Sequence, residues 1–243
     1  MKEQTHNKLI FLSGGGDENQ SLPFDEFFLE KIPENGNILY IPIALKKHSL
    51  FKNSEKWMKN LLAMHERSDI SLQIVKDEAT LKNIDPNLYS GIYVGGGNTY
   101  SLINDLRRTN FSTKIKEYIK KGGLFYGGSA GAIALGKQID AHEDINSIEI
   151  ENMAGLDVLE GFSVTCHYNK SKEADRIAWT MKSGLSLIAI PEESGIIFKS
   201  TEIMCVGDKN CTLFLPNGEI QELAPLEKIE IKSVHTLCVD TID

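Results

Sequence analysis

The chain is predicted to be an α/β protein with a mostly parallel central sheet, followed by antiparallel strands. Short apolar runs alternate with amphipathic stretches over the first 190 residues. Most of these runs stop at glycine or proline, as buried strands leaving a sheet do. After Pro191 the spacing tightens and the connections become turn-like.

Taken in order, Lys8–Leu12 is bounded by Gly14-Gly15-Gly16, and Asn37–Ile41 by Pro42. Gly91–Val94 runs into Gly95-Gly96-Gly97, Leu124–Tyr126 into Gly127-Gly128, and Leu185–Ile190 stops at Pro191. Runs this short and continuous read as strands covered on both faces. Between them, Ser54–Arg67 carries Trp57, Met58, Leu61 and Leu62 at helical spacing. A second helix is marked by Phe111, Ile115, Tyr118 and Ile119, and the Lys121-Gly122-Gly123 exit suits a helix C-terminus. Strands separated by helices imply βαβ crossovers. Gly195–Phe198, Ile203–Val206, Cys211–Leu215 and Ile220–Leu223 then read as antiparallel strands, with Asn217-Gly218 a hairpin turn. No linker, repeat or low-complexity segment interrupts residues 1–243, so a single domain is expected, with a β-rich C-terminal extension from about residue 200.

Hydrophobic residues make up 41% and charged residues 25%, which excludes a disordered chain, a fibre and a disulfide-stapled miniprotein. No apolar run approaches the roughly 20 residues that cross a bilayer. The polar Met1–Lys8 stretch and the short run after it lack signal-peptide features, so a cytoplasmic protein is expected. A net charge of −8 repels polyanions, and Lys46-Lys47, Arg107-Arg108 and Lys120-Lys121 are isolated pairs, so no nucleic-acid partner is expected. Cys166, Cys205, Cys211 and Cys238 form no CxxC pair, which argues for free thiols over a metal or redox site.

The most informative stretch is Gly127-Gly128-Ser129-Ala130-Gly131. It places G-x-S-x-G after a strand-like run and before a helix-compatible one, Ala130–Leu135. Such a turn holds the serine in a strained conformation, lifts its hydroxyl off the sheet and aims the Ala130 amide at a developing oxyanion. The bland alternative is a tight connecting turn or a phosphate cradle. A serine nucleophile needs a base. Of the six histidines, His6 lies in the polar tail, His48 and His65 near early helices, His142 in a polar loop and His235 near the C-terminus. His167 ends the apolar run Phe162–Cys166, where it could share a rim with the nucleophile turn. Glu192, at the exit of another strand, Asp144 and Glu193 compete to orient the imidazole, and the residues alone do not separate them. Gly95-Gly96-Gly97-Asn98-Thr99 could supply the second half of an oxyanion hole, or only a tight turn in which Asn98 or Thr99 caps a helix. Gly14-Gly15-Gly16-Asp17 is a weaker version of the same pattern.

The combination of Tyr93–Thr99, Gly127–Ala132, a histidine 38 residues after the serine and Ile190-Pro191-Glu192 resembles the S51 serine peptidases, which include aspartyl dipeptidase (peptidase E) and the related cyanophycinases. The resemblance spans about Leu9 to Lys199. It implies a three-layer α/β sandwich similar to class I glutamine amidotransferases, which carry cysteine at the position of Ser129. It further implies Ser129 as nucleophile, His167 as general base, Glu192 as orienting carboxylate with Asp144 second, and an oxyanion hole at the Gly96 region and Ala130. Gly97 and Asn98 are expected on the same substrate-facing turn. Peptidase E has an arginine shortly after the histidine, suited to an N-terminal aspartate. Here Glu173 falls there and would repel that side chain, with Arg176 nearby as partial compensation.

The function expected is hydrolysis of short peptides by a dipeptidase-like serine hydrolase without metal or organic cofactor, with a homodimer possible through an open sheet edge. The alternatives are a cyanophycinase-like isoaspartyl peptidase or esterase, a non-catalytic small-ligand binding module of the same fold, and an amidotransferase-like function.

Overall fold

The computed structural model describes residues 8–46, 49–232 and 234. His6, Lys47, His48, His235 and Cys238 lie outside them.

The parallel part of the main sheet comprises β1 (Leu9–Ser13), β2 (Asn37–Ile41), β3 (Ser71–Ile74), β4 (Gly91–Val94) and β5 (Leu124–Gly128), in the spatial order β1-β5-β4-β2-β3. The helices between them are α1 (Leu22–Leu29), α2 (Ser54–Met64), α3 (Glu78–Asn83), α4 (Thr99–Arg108) and α5 (Phe111–Lys120). After β5 come α6 (Ala130–Ile133), β6 (Ser163–Thr165), α7 (Glu173–Ser183) and β7 (Leu187–Ala189). The chain then forms β8 (Ser194–Lys199), β9 (Glu202–Gly207), β10 (Cys211–Phe214), β11 (Ile220–Leu223) and β12 (Lys228–Glu230).

Strands β8, β9 and β12 extend the main sheet antiparallel from β1, giving eight strands in all. A second sheet of four has the order β11-β10-β7-β6. The segment after residue 200 is therefore woven into both sheets. The β10–β11 hairpin pairs Phe214 with Ile220, and its turn holds Gly218 at φ +85°.

Strand alternation builds the layers. Ile10 and Leu12 enter one core, shared with Leu102, Ile103 and Leu106 of α4, Phe111, Ile115 and Ile119 of α5, and residues of the small sheet. Phe11 points the other way, into a core with Phe24 and Phe28 of α1 and Met58, Leu61 and Leu62 of α2. Each fully buried aliphatic or aromatic side chain contributes roughly 1.5–3 kcal/mol. Helix α5 closes as expected, with Gly122 at φ +85° and Gly123 N–H donating to Tyr118 O at 2.9 Å. Helix α2 is shorter than its pattern predicts and ends at Met64, not Arg67. Glu66 turns to φ +55°, and Arg67 leaves the helix to donate to Leu29 O, Ile32 O and Pro33 O.

Parallel β1, β5 and β4 are adjacent, so their glycine-rich exits meet at one edge of the sheet. In open α/β sheets this carboxyl-end edge is where ligands bind. No helix among the described residues is long and apolar enough to cross a membrane.

Candidate active site

Ser129 sits between β5 and α6 at φ +46°, ψ −107°, a strained conformation for a residue with a side chain. Close packing accounts for the flanking glycines. A Cβ on Gly127 would lie 2.6 Å from the Gly131 carbonyl carbon, and one on Gly131 would overlap the Val94 carbonyl oxygen. The elbow can therefore pack against β4 only if both positions lack side chains.

His167 follows β6, also at positive φ (+53°). Its Nε2 lies 2.8 Å from Ser129 Oγ, and its Nδ1 lies 2.8 Å from Glu192 Oε1. Ionised Glu192 can only accept, so Nδ1 carries the proton and Nε2 accepts from the serine hydroxyl. The His167 and Glu192 side chains are 44% and 45% exposed, which leaves the group open to a peptide. Gln20 Nε2 reaches Glu192 Oε2 at 3.5 Å.

Asp144 is placed elsewhere. Its Oδ2 accepts from Thr99 N–H at 2.7 Å, holding the first turn of α4, while the Asp144 amide donates to His142 Nδ1. Buried His142 is pushed to a lower pKa by desolvation, and its ring faces Tyr100 rather than the serine. His65 ends α2. Among the described histidines, only His167 pairs with Ser129.

The amide of Gly95 donates to Ile41 O and that of Asn98 to Ala44 O, whereas the Gly96 and Gly97 amides have no protein acceptor among the described residues. A Cβ on Gly96 would stand 3.3 Å from Ser129 Cβ, so this backbone abuts the serine. The Ala130 amide opens α6 beside it. Asn98 serves instead as a helix cap, its Oδ1 accepting from Ser101 N–H and its Nδ2 donating to Ile145 O. Neither Glu173 nor Arg176 lines the cavity at Ser129. Glu173 starts α7, and Arg176 is buried against Glu143, which Lys172 also holds. The repulsion expected from Glu173 thus has no place at the cavity wall.

The first glycine turn carries more of the site than its sequence pattern suggests. Ser13 O accepts from Ser129 N–H at 3.1 Å, and Gly14 O accepts from His167 N–H at 3.1 Å. Gly15, at φ +96°, packs so tightly that a Cβ there would lie 2.6 Å from His167 Cε1 and 2.8 Å from Ser129 Cβ. The turn after β1 therefore sets the spacing of the serine and the imidazole. Its signal was present, since Gly14-Gly15-Gly16 follows a strand as Gly95-Gly96-Gly97 does.

Beside Ser129 opens a cavity of about 450 Å³, walled by Tyr40, Trp57, Tyr93 and Tyr126. Parallel register sets Tyr93 opposite Tyr126, and their rings stack at 4.1 Å and 13°. Behind Tyr126 lies Asp25, 1% exposed, accepting from Tyr126 Oη at 2.6 Å and Ser21 Oγ at 2.7 Å. Burial raises its pKa from an ordinary 3.8 to about 6, against the lowering effect of the two hydroxyls. A carboxyl with a raised native pKa is most favourable to folding at low pH, and stability falls as pH rises from near 4 through 6. Asp25→Asn should remove a loss on the order of 1–2 kcal/mol between pH 5 and pH 8. Urea unfolding of both proteins at the two pH values measures it, and a mutant-to-wild-type difference that is equal at both would contradict the assignment.

The family model for peptidase family S51 matches residues 9–206. The chain belongs to peptidase family S51. This S51 chain is a serine-type, dipeptidase-like peptidase. It is 24% identical over 217 residues to a Drosophila melanogaster protein named "Probable alpha-aspartyl dipeptidase", covering 82% of this chain and 85% of the relative. It is 28% identical over 173 residues to peptidase E of Shewanella amazonensis, covering 67% of each. In fold it is similar to the crystal structure of a peptidase from an acI-B1 Actinobacterium, with a TM-score of 0.71 and 20% identity, covering 95% of this chain and all of the other.

Proposed function

We propose that this S51 peptidase hydrolyses the amide bond of short peptides with Ser129 as nucleophile, His167 as general base and then acid, and Glu192 as the orienting carboxylate. The observation that carries the reading is the unbroken chain Ser129 Oγ–His167 Nε2 and His167 Nδ1–Glu192 Oε1, each link 2.8 Å. Ser129 Oγ attacks the peptide carbonyl as its proton passes to Nε2, and the same proton then goes to the leaving amine. Glu192 holds the productive tautomer and stabilises the imidazolium. The amides of Gly96 and Ala130 receive the oxyanion. Water next attacks the acyl-enzyme ester, and the histidine repeats its two roles.

A cytoplasmic location belongs to the proposal and is supported by the free, buried thiols of Cys166, Cys205 and Cys211. So does a homodimer, for which β3, at the end of the main sheet, offers an edge. Sedimentation in solution decides the latter.

To test the function, a pool of dipeptides is incubated with the enzyme and released amino acids are followed by mass spectrometry. Release that stops on stoichiometric treatment with a fluorophosphonate is expected; ligand-induced stabilisation with no release would favour a binding module. Glu192→Gln is expected to lower kcat by about 10³–10⁴-fold by losing the tautomer control. Asp144→Asn should cost about 1 kcal/mol at the α4 terminus and leave kcat within a few-fold. Steady-state rates of both variants check this, and the reverse pattern would transfer the role to Asp144.

A further inference from the structure

The cavity beside Ser129 is walled by four aromatic rings together with the small polar side chains of Ser13, Ser21, Asn53 and Ser54. Resting on the Ser129 reading above, we propose that it receives the first side chain of the peptide and selects an uncharged aromatic one over aspartate, with Trp57 as a specificity-determining residue.

Four rings form a connected surface there. Trp57 lies 6.2 Å from Tyr40 and 6.0 Å from Tyr93, and Tyr40 meets Tyr93 edge-on at 5.6 Å and 81°. An entering ring can extend this edge-and-face pattern and bury its apolar surface in a space of about 450 Å³. Trp57 is held in place because its Nε1 donates to Glu18 Oε2 at 3.1 Å.

The charges around the cavity oppose a carboxylate. Asp25 stands directly behind Tyr126, Glu18 behind Trp57, and Glu192 behind His167. No lysine or arginine lines the cavity among the described residues. The cations on the His167 side, Lys172 and Arg176, are both paired with Glu143. An aspartate side chain would exchange water for tyrosine and tryptophan faces, whose electron-rich surfaces repel an anion. A lysine or arginine would find those faces attractive. It would nevertheless surrender its hydration to a wall whose nearest buried acid, Asp25, is already engaged by two hydroxyls.

The test uses X-Leu dipeptides with X as Phe, Tyr, Ala, Arg or Asp, with kcat/KM from release of leucine. Phe-Leu is expected to exceed Asp-Leu by at least about 30-fold and Arg-Leu by about 10-fold. Trp57→Ala should lower the Phe-to-Ala ratio about 10-fold, chiefly through KM, and Trp57→Phe should largely keep it. The wild-type series decides even if a variant folds poorly. A preference for Asp-Leu or Arg-Leu overturns the inference while leaving the Ser129 hydrolase intact. An unchanged Phe-to-Ala ratio in Trp57→Ala removes Trp57 from the account. Failure to cleave any dipeptide, with Ser129 still labelled by a fluorophosphonate, overturns the selectivity; the same failure with Ser129 unlabelled overturns the hydrolase reading too.

Discussion

Ser129→Ala is expected to reduce kcat on the preferred dipeptide by about four to six orders of magnitude while leaving the thermal midpoint within a few degrees of wild type. The large kinetic effect follows from removal of the hydroxyl that is hydrogen-bonded to Nε2 of the imidazole and would attack the carbonyl. The small thermodynamic effect follows because alanine keeps the backbone and Cβ, and because the elbow is held by Ser129 N–H to Ser13 O and by close packing of Gly127 and Gly131. His167→Ala should fall to a similar level, and the double variant little further, since the two side chains act as one unit. Burst and steady-state assays on the three proteins measure this. Additive losses would mean that serine and histidine work separately.

The second large effect is expected at Gly15, a position with no reactive atom. Its φ of +96° is unfavourable for any L side chain, and an added Cβ would fall within 2.6–2.8 Å of the His167 ring and Ser129 Cβ. Gly15→Ala should cost at least about 2 kcal/mol of stability. Because relief requires the ring or the elbow to move, kcat should also drop by more than about 100-fold. Chemical denaturation and kinetics at a temperature where the variant is fully folded separate the two effects. A stable variant with near wild-type kcat would show that the first glycine turn does not set the serine–histidine spacing.

Much of this arrangement is legible in the sequence, for reasons that differ by residue. The elbow announces itself because the strained turn, the strand before it and the tight approach to Val94 all impose small residues at fixed offsets around Ser129. His167 is legible as a strand-end histidine, although five others compete until distances are known. Glu192 and Asp144 cannot be separated in the sequence, because each lies in a short segment near a strand or loop end. Their difference arises only when β7 brings Glu192 to the ring while the loop carrying Asp144 closes on α4. The strand-then-glycine pattern of Gly14-Gly15-Gly16 is visible in the sequence, but its weight depends on β1 lying between β5 and β8, a matter of sheet order. The aromatic cavity carries no motif at all: Tyr40, Trp57, Tyr93 and Tyr126 come from β2, α2, β4 and β5, and they meet only in the folded chain. The same holds for the C-terminal strands, whose periodicity is clear but whose assignment to two different sheets is not.

The catalytic account is tested most directly by locating a covalent adduct. Wild-type enzyme treated with a fluorophosphonate and digested should carry a single phosphonyl group, on Ser129, and the His167→Ala variant should take it up far more slowly. Modification at another residue, or full peptide hydrolysis by enzyme whose Ser129 remains free, would contradict the account.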